Sequence, residues 1–417
     1  MGLRRKTERR YGANGWPPAA GRVEDRDTAL IPVKRATTGV AVVFLANGVI
    51  VGSWIPRLPE IRDRLSMDLD TLGLTLALGG LGALIGSSVS GVVLGRIGAR
   101  RSAVVGAGLL FLLLPLIAVV PTAFLLGLLL AVLGFVDAQA DVGMNQVGVR
   151  VEESAGRSIM TRLHGLWSLG TLLGSGLSAL AVLSGFRLGP QLAALSVAGL
   201  AVVALAARLV PDTAPRPGTG ERSGRIALGL IVAGATLVVI EGTPMDWGAI
   251  FLIDVTGTTA AVGGTGVIVF TAGMLVGRMA GDYVVDRFRG VPTLFAGIML
   301  SVAAMLLVVL SGSTAIALIG FGLWGLGISV ALPVLYKLAG SHPSFAEGAG
   351  LAALTVGTRL GFMAAPALLG LVATASNLSA ALTLVVGLAA AAALVTIRLT
   401  VAGGGRVRDS LPSQGSS

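Results

Sequence analysis

The chain has 417 residues, of which 54% are hydrophobic and only 12% are charged. Soluble domains carry about 25% charged residues, so this composition excludes an ordinary soluble domain and is typical of a chain that crosses a membrane many times. The net charge of +10 lies mostly in the tails and short loops, without a basic patch interleaved with aromatic residues, so we expect no nucleic-acid partner. The chain contains no cysteine, which excludes disulfide bonds and thiolate metal ligands.

The first segment, residues 1–36, is rich in arginine and contains Pro17 and Pro18. It has no apolar core, so it does not have the pattern of a signal peptide. We expect a disordered, basic, cytoplasmic tail.

Runs of about 20 apolar residues, long enough to cross a bilayer, follow this tail. They predict twelve transmembrane helices, near residues 37–55, 71–94, 103–120, 122–149, 160–184, 190–210, 226–250, 260–281, 291–311, 313–337, 349–375 and 378–399. The most hydrophilic gap between them, residues 211–225, separates the sixth span from the seventh. We therefore predict an all-α membrane protein with two six-helix bundles, residues 37–210 and 226–400, a cytoplasmic linker between them and a cytoplasmic tail over residues 401–417.

Lysine and arginine are unevenly divided between the two sides of this membrane domain. One side carries the N-terminal tail and the linker, together with Arg96, Arg100, Arg101, Arg150, Arg157, Arg287, Arg289, Lys337, Arg406 and Arg408. The opposite side carries Arg57, Arg62, Arg64 and Arg187, and its first loop also contains acidic residues. The positive-inside rule therefore predicts cytoplasmic termini for a multi-pass protein of the cell membrane. The excess of arginine over lysine is typical of a GC-rich bacterial genome.

Features of the spans recur with a period of three helices. The third, sixth, ninth and twelfth spans are bland and apolar, whereas the first, fourth, seventh and tenth carry polar residues at depth. The second, fifth, eighth and eleventh contain ladders of small residues: Gly82/Gly86 with Gly91/Gly95, Gly170/Gly174, Gly273/Gly277/Gly281, and Gly357/Gly361. Such ladders predict close helix contacts. Three-helix units repeated four times are typical of transporters built from inverted repeats.

The loop between the second and third spans resembles the loop motif of the major facilitator superfamily. Its matching residues are Gly91, Arg96, Gly98, Arg100 and Arg101, with Gly95 at the place of the motif's acid. The corresponding loop of the second half keeps Asp286 and Arg287, with Asp282 where the motif opens with glycine. The resemblance covers residues 37–400. It implies two bundles related by a pseudo-twofold axis and a gating role for these loop residues.

Two further stretches, residues 162–170 and 241–247, are similar to a bacterial branch of this superfamily. The substrates of that branch are mostly unassigned, and the branch is loosely similar to sugar permeases. The resemblance therefore implies a transporter fold and leaves the substrate open.

Three polar residues of the fourth span, Asp137, Asp141 and Asn145, recur every four residues and lie on one face of a helix. Charged groups inside a membrane are costly and usually face a protein or water cavity. Because paired buried carboxyls are common sites of proton exchange, we interpret the stripe as a proton-coupling or cation-binding site. The alternative is a hydrogen-bonded pair that pins the fourth helix to its neighbours.

His164 and Trp167 follow early in the fifth span, which is expected to pair antiparallel with the fourth. Both residues are therefore expected near Asp141 and Asn145. A histidine titrates near neutral pH and can relay or gate a proton, so His164 is a further coupling candidate. A capped helix end is its equal alternative.

The second bundle carries Glu241, Asp246 and Trp247 in the seventh span and Arg359 in the eleventh. An acid beside an aromatic face suits a hydroxylated or cationic organic substrate, so we take these four residues, with Trp167, as substrate-binding candidates. Asp246 and Trp247 equally fit a position at the membrane surface.

A buried guanidinium needs an acidic partner or an anionic substrate, so a deep Arg359 requires one of the two. Glu241, Asp137 and Asp141 are its candidate partners. We expect Arg278 to join Asp282 in a cytoplasmic gate, and Arg57 to anchor the first helix at the outer membrane surface.

These patterns predict a secondary active transporter of a small organic solute, coupled to protons, that works by alternating access. The alternatives are a drug or metabolite efflux antiporter instead of an uptake symporter, and a non-transporting sensor or scaffold on the same fold. The chain lacks a Gly-x-Ser-x-Gly elbow, a His-Glu-x-x-His motif and a P-loop, so we expect neither an enzyme nor an ATP-driven pump. We expect no cofactor and no metal, and a monomer whose partners are the lipid bilayer, the solute and the proton.

Overall fold

A computed structural model describes residues 31–156, 159–212, 224–288, 290–341 and 349–409. In this part of the chain, twelve helices are long and apolar enough to cross a membrane, which confirms the predicted number of spans. In chain order they are α1 Val33–Trp54, α2 Leu69–Ile97, α3 Ala99–Leu113, α4 Ala123–Ala155, α5 Met160–Leu183, α6 Leu188–Ala207, α7 Gly224–Asp254, α8 Thr265–Phe288, α9 Gly290–Ser311, α10 Thr314–Ile328, α11 Ala349–Ala375 and α12 Leu378–Asp409.

Several helices extend beyond their apolar runs, since helical hydrogen bonding does not stop at the edge of a hydrophobic stretch. The clearest case is α4, which begins after a capping Thr122 side chain that accepts from the Leu125 N–H. It continues to Ala155, six residues beyond its predicted end at residue 149, and is followed by a left-handed Gly156. Short helical segments flank the spans at Ile55–Arg57, Leu58–Arg64, Leu114–Ala118, Ala260–Gly263 and Ala331–Ser341.

The helices form two bundles, α1–α6 and α7–α12, with the same internal packing. In the first bundle α1 packs on α5, α2 on α4, and α3 on α4 and α6. Each pair recurs six helices later, as α7 on α11, α8 on α10, and α9 on α10 and α12. The repetition agrees with the predicted pseudo-twofold relation of the bundles. The predicted domain limits stay a prediction, because most of the linker lies outside the described residues.

Glycines set the spacing of the helix pairs within each bundle. A Cβ on Gly170 of α5 would lie 2.1 Å from the carbonyl oxygen of Leu45 on α1. The equivalent contact in the second bundle joins Gly357 of α11 to Ile231 of α7, also at 2.1 Å. Neither site has room for a side chain, so the backbones touch, as the small-residue ladders predict.

The two bundles meet mainly along α2 and α11, at one end of the molecule. We call this end, which holds the loops α1/α2, α7/α8 and α11/α12, the distal end, and the opposite one the proximal end. A Cβ on Gly73 would lie 2.3 Å from the Pro366 carbonyl oxygen, and one on Gly80 would lie 2.4 Å from the Met363 Cα. The Arg62 guanidinium, beyond α1, pairs with Asp254 at the end of α7 and closes the same end.

Two glycines of the predicted ladders make no close helix contact. Gly91 follows Gly73 by five helical turns and lies on the same face of α2, but a Cβ on Gly91 or Gly95 would meet nothing within 4 Å. The expectation of a tight contact is therefore wrong for these two residues. They lie in the proximal half of α2, where the bundles have separated.

The position of Arg57 also differs from the prediction. We expected an anchor at the membrane surface, but the residue is 5% exposed. Its guanidinium donates to Gln191 and to the Phe186 carbonyl oxygen and pairs with Glu60. Several hydrogen bonds compensate the charge inside the first bundle, which is why burial is tolerated there.

Candidate functional site

An ion pair at the centre of the molecule joins the two bundles. Arg359 of α11 donates from Nη2 to Oδ2 of Asp141 on α4 at 2.8 Å. Asn145, one turn further along α4, donates its amide to Oδ1 of the same carboxylate at 2.9 Å. The Arg359 side chain is 12% exposed and that of Asp141 is 35% exposed, so the pair borders an accessible space. Of the three acids considered for Arg359, Asp141 is its partner.

Asp137, one turn before Asp141, has no cation bonded to it among the described residues. Its Oδ1 accepts a hydrogen bond of 2.9 Å from the Asn47 amide on α1. The Asn47 Oδ1 in turn accepts from the indole N–H of Trp167 on α5 at 2.7 Å. The predicted stripe on α4 therefore has two kinds of carboxylate, one held by a guanidinium and one held by an amide.

Glu241 of α7 pairs with Arg278 of α8, at 3.1 Å between Oε1 and Nη2. The other Arg278 nitrogen donates to the Ser168 hydroxyl on α5, so this arginine also spans the two bundles. Both charged side chains are about 15% exposed. We expected Arg278 in a gate with Asp282, whereas its guanidinium joins Glu241 in the interior. The Asp282 side chain lies outside the described ones.

His164 lies near this centre without a hydrogen bond from its ring in the part of the chain that the structure describes. The ring meets Phe44 of α1 edge to face, with centroids 5.4 Å apart, and the side chain is exposed. Asp141 and Arg278 both act on it electrostatically. His164 is thus close to the α4 stripe and has an exposed side chain.

Asp246 and Trp247 differ in accessibility, although they are neighbours. Asp246 is half-buried, and its carboxylate forms no hydrogen bond with other described residues. Trp247 is wholly buried, and its indole nitrogen has no partner among them. In this state Trp247 offers no ring face to a solute, whereas Asp246 has acceptor atoms to spare.

The loop-motif residues lie at the proximal end. Arg96 is exposed, and Gly98 takes a φ of 82° at the turn between α2 and α3. Arg100 donates to the Ala207 carbonyl oxygen at the end of α6, at 2.8 Å. In the second half the Arg287 guanidinium lies over the Phe288 ring. The Asp286 side chain lies outside the described ones.

Three residues of the site escaped the sequence-based candidates: Asn47, Ser168 and Tyr336. Tyr336 lies within electrostatic range of Asp141 and Arg359. An asparagine deep in an apolar span is the only one of these signals visible in the sequence; a serine or tyrosine in a membrane helix is too common to single out. No group of three possible metal ligands of the His, Cys, Asp or Glu type occurs in the described ranges.

The sequence is similar to curated bacterial membrane proteins over most of its length. It is 30% identical over 350 residues to an uncharacterised MFS-type transporter of Yersinia pestis, covering 82% of this chain and 89% of the relative. It is 29% identical over 350 residues to an uncharacterised transporter of Sinorhizobium fredii, covering 82% and 92%. It is 29% identical over 377 residues to the membrane protein MosC of Rhizobium meliloti, covering 88% and 91%. No family model matches.

Solved transporter structures share the fold at low sequence identity. The nucleoside transporter NupG superposes with a TM-score of 0.67 at 13% identity, covering 87% of this chain and 98% of its own. A bacterial homologue of the human lysosomal transporter Spinster, in an inward-facing and unoccupied conformation, gives 0.63 at 12% identity, covering 90% and 97%. The Escherichia coli fucose:proton symporter FucP gives 0.56 at 16% identity, covering 87% and 98%. At these identities the likeness concerns the fold alone.

Proposed function

Because the chain belongs to the major facilitator superfamily and is a transporter of that type, we propose that it moves a small organic solute across the membrane in a cycle coupled to protons. Two of its relatives are named as transporters, which supports a role other than that of an enzyme, and the chain is an integral, multi-pass membrane protein. Protons bind and leave at the α4 carboxylates, and the solute binds between the bundles.

The Asp141–Arg359 ion pair is the observation that carries this proposal. It links α4 of one bundle to α11 of the other across the space that a solute must cross. A proton on Asp141 removes the negative charge that compensates Arg359, and an uncompensated buried charge is costly. Proton binding therefore weakens a contact between the two bodies that move against each other, which is what coupling requires.

Asp137 supports the same proposal because it lies one turn from Asp141 and has no guanidinium of its own. Two carboxylates one turn apart on one helix face repel each other when both are ionised, which favours a proton on one of them. His164, an exposed side chain near this stripe, provides a path for the proton towards the proximal end.

The substrate proposed is a small solute that donates hydrogen bonds. Asp246 keeps free acceptor atoms, whereas both central arginines already hold carboxylates. An anionic solute would have to displace one of these pairs. A fucose:proton symporter has the same fold, so this architecture is compatible with proton-coupled movement of a hydroxylated solute.

The proximal end is proposed to be cytoplasmic, with both chain termini on that side. The support is the excess of arginine in the loops of this end, such as Arg96, Arg100 and Arg101 between α2 and α3. With the α2–α11 seam closed distally, the described conformation is then inward-facing. By the same argument from charge, the linker over residues 211–225 is proposed to be cytoplasmic.

The test is transport by purified protein in proteoliposomes with an imposed pH gradient. Vesicles are incubated with a mixed panel of monosaccharides, polyols, nucleosides and amino acids, and accumulated solutes are identified by mass spectrometry. We expect at least one solute to accumulate only with the gradient. Asp137→Asn and Asp141→Asn should each abolish gradient-driven accumulation while leaving exchange of labelled for unlabelled solute in place.

Asp68→Asn is the matched control, because it removes one acidic charge from an exposed side chain at the distal start of α2 that makes no capping hydrogen bond. It should behave as the wild type. Gradient-driven accumulation that survives in both Asp137→Asn and Asp141→Asn would contradict the assignment of coupling to this stripe.

A further inference from the structure

A chain of two hydrogen bonds ends on Asp137 and crosses three helices of the first bundle. Trp167 on α5 donates from its indole nitrogen to Oδ1 of Asn47 on α1, at 2.7 Å. Asn47 donates from Nδ2 to Oδ1 of Asp137 on α4, at 2.9 Å. Of these three residues, Asn47 belongs to none of the coupling or substrate candidates read from the sequence.

The chemistry of the indole fixes the direction of this chain. An indole N–H can only donate, so the atom of Asn47 that faces Trp167 has to be the amide oxygen. The amide nitrogen must then face Asp137. Oxygen and nitrogen of an amide are otherwise hard to tell apart, but here the tryptophan decides which is which.

Packing fixes the position of the Asn47 side chain, and the hydrogen bond from Trp167 sets the orientation of its amide. Asn47 is 3% exposed. The next residue, Gly48, sits against α5 so closely that a Cβ there would lie 2.0 Å from the Trp167 carbonyl oxygen. The two helices are therefore locked together at the level of the hydrogen bond.

The two oxygens of Asp137 consequently differ. Oδ1 accepts from Asn47, whereas Oδ2 has no hydrogen-bond partner among the described residues. A donor held against Oδ1 stabilises the ionised carboxylate and leaves Oδ2 as the position for an incoming proton.

We propose that Asn47 is a positioning residue for Asp137, and that Trp167 acts on Asp137 through the orientation it imposes on the Asn47 amide. This inference rests on the proposed proton-coupled transport and deepens it. It assigns the proton site to Oδ2 of Asp137 and the control of that site to an indole two hydrogen bonds away.

Other charges around Asp137 are few. Asp141 on the same helix and Arg359 on α11 act on it electrostatically. On α5 the titratable neighbour is His164, three residues before Trp167. The membrane-embedded parts of α1, α2 and α3 contain no titratable side chain at this depth. An effect of Trp167 on Asp137 therefore has no second route through a charge on those helices.

The experiment is an infrared difference titration of the purified full-length protein in lipid nanodiscs, which follows buried carboxyl groups without any substrate. The Asp137 band is the one that Asp137→Asn removes. In Trp167→Phe the amide loses its donor and is free to turn its oxygen towards Asp137, so the titration midpoint of that band should move to higher pH by about one unit. Asn47→Ala should move it in the same direction.

A double variant separates positioning from general damage to the fold. If Trp167 acts through Asn47, Trp167→Phe adds no further shift in the Asn47→Ala background. Asn47→Leu, which keeps about the size of the side chain and removes its amide, is the second replacement should Asn47→Ala fail to fold. Trp54→Phe, on the same helix as Asn47 and two turns away, is the matched control and should leave the midpoint unchanged.

The two failures are distinguishable. An Asp137 band that titrates at the wild-type midpoint in Trp167→Phe and Asn47→Leu overturns the positioning role and leaves proton coupling standing. The same holds if the shifts of the two single variants add in the double variant. If Asp137→Asn removes no titrating band, Asp137 does not bind the proton, and this part of the proposed function is overturned as well.

Discussion

The two central arginines show what charged residues require inside a membrane protein. Asp141 compensates Arg359 across the bundle interface. Glu241 compensates Arg278 within the second bundle, and Arg278 also donates to Ser168 of the first bundle. Removing one partner of a buried pair leaves an uncompensated charge, whereas removing both charges together can be nearly neutral. The pairs are therefore open to a test by paired substitutions.

For the Glu241–Arg278 pair we expect each single variant to be less stable than the double variant. Glu241→Gln or Arg278→Gln alone should lower the free energy of unfolding by about 3 kcal/mol, since about 15% exposure leaves little water to screen the orphaned charge. The double variant should recover most of this loss. The measurement is the thermal unfolding midpoint of the purified protein in detergent.

The control for this cycle is Glu153→Gln at the end of α4. Its pair with Arg150 is long, at 3.9 Å, and both side chains are more exposed than those of the buried pair. A change below about 0.5 kcal/mol is expected there. Equal effects at Glu153 and Glu241, or additive losses in the double variant, would show that the buried pair has no special role.

At the scale of helices, close backbone contact through glycine defines the bundles. The α1–α5 pair and the α7–α11 pair use the same device at equivalent places, through Gly170 and Gly357. In a membrane the gain comes from van der Waals contact between backbones, since lipid provides no hydrophobic drive to bring helices together. A single methyl group at such a site forces the helices apart.

We therefore expect Gly170→Ala to lower the free energy of unfolding by about 1–3 kcal/mol, because its Cβ would lie 2.1 Å from the Leu45 carbonyl oxygen. Thermal unfolding in detergent measures the change. On the same helix, Gly176 has nothing within 4 Å of a Cβ, so Gly176→Ala should be neutral or slightly stabilising. A Gly170→Ala protein as stable as Gly176→Ala would mean that α1 and α5 are not in contact.

At the scale of the whole molecule, α2 and α11 touch each other only in their distal halves, while α5 and α8 form a smaller second contact between the bundles. Gly73 and Gly80 touch α11, whereas Gly91 on the same α2 face has open space. Thus α11 covers only the distal half of this α2 face. Two bundles that rock against each other have such a half-covered face in each of their two end states. A substitution on the occupied half should therefore shift the balance between the states.

Gly80→Ala is expected to open the distal seam, since its Cβ would lie 2.4 Å from the Met363 Cα. The chain has no native cysteine, so Ala77→Cys, between Gly73 and Gly80 along α2, gives a specific reporter. A loss of about 1.4 kcal/mol in the stability of the closed seam would raise the open population tenfold. The reaction of the cysteine with a maleimide should therefore be several-fold faster in the Gly80→Ala background. Gly387→Ala, at an open site on α12, should leave the rate unchanged. An unchanged rate in Gly80→Ala would place the seam outside the moving interface.

The sequence predicted the architecture well and the site in part. The twelve spans, the two bundles and the stripe of Asp137, Asp141 and Asn145 could be predicted because hydropathy and helical period are local properties. The partner of Arg359 could not, since three acids satisfied the same requirement. Arg57 was misplaced because a basic residue near a helix end reads as a surface anchor unless its partners, here Gln191 and the Phe186 carbonyl, are known.

The sequence alone determined that this chain crosses a membrane twelve times, belongs among transporters of repeated design and keeps carboxylates at depth in α4 and α7. Only the tertiary structure decided that Asp141 holds Arg359 across the bundle interface, that Asn47 and Trp167 hold Asp137, and that the distal end is closed. The physical reason is the distance along the chain over which each property is set. Hydropathy is summed over neighbours in sequence, whereas the Asp141–Arg359 pair joins residues 218 positions apart, and its existence depends on how two distant helices rotate and cross.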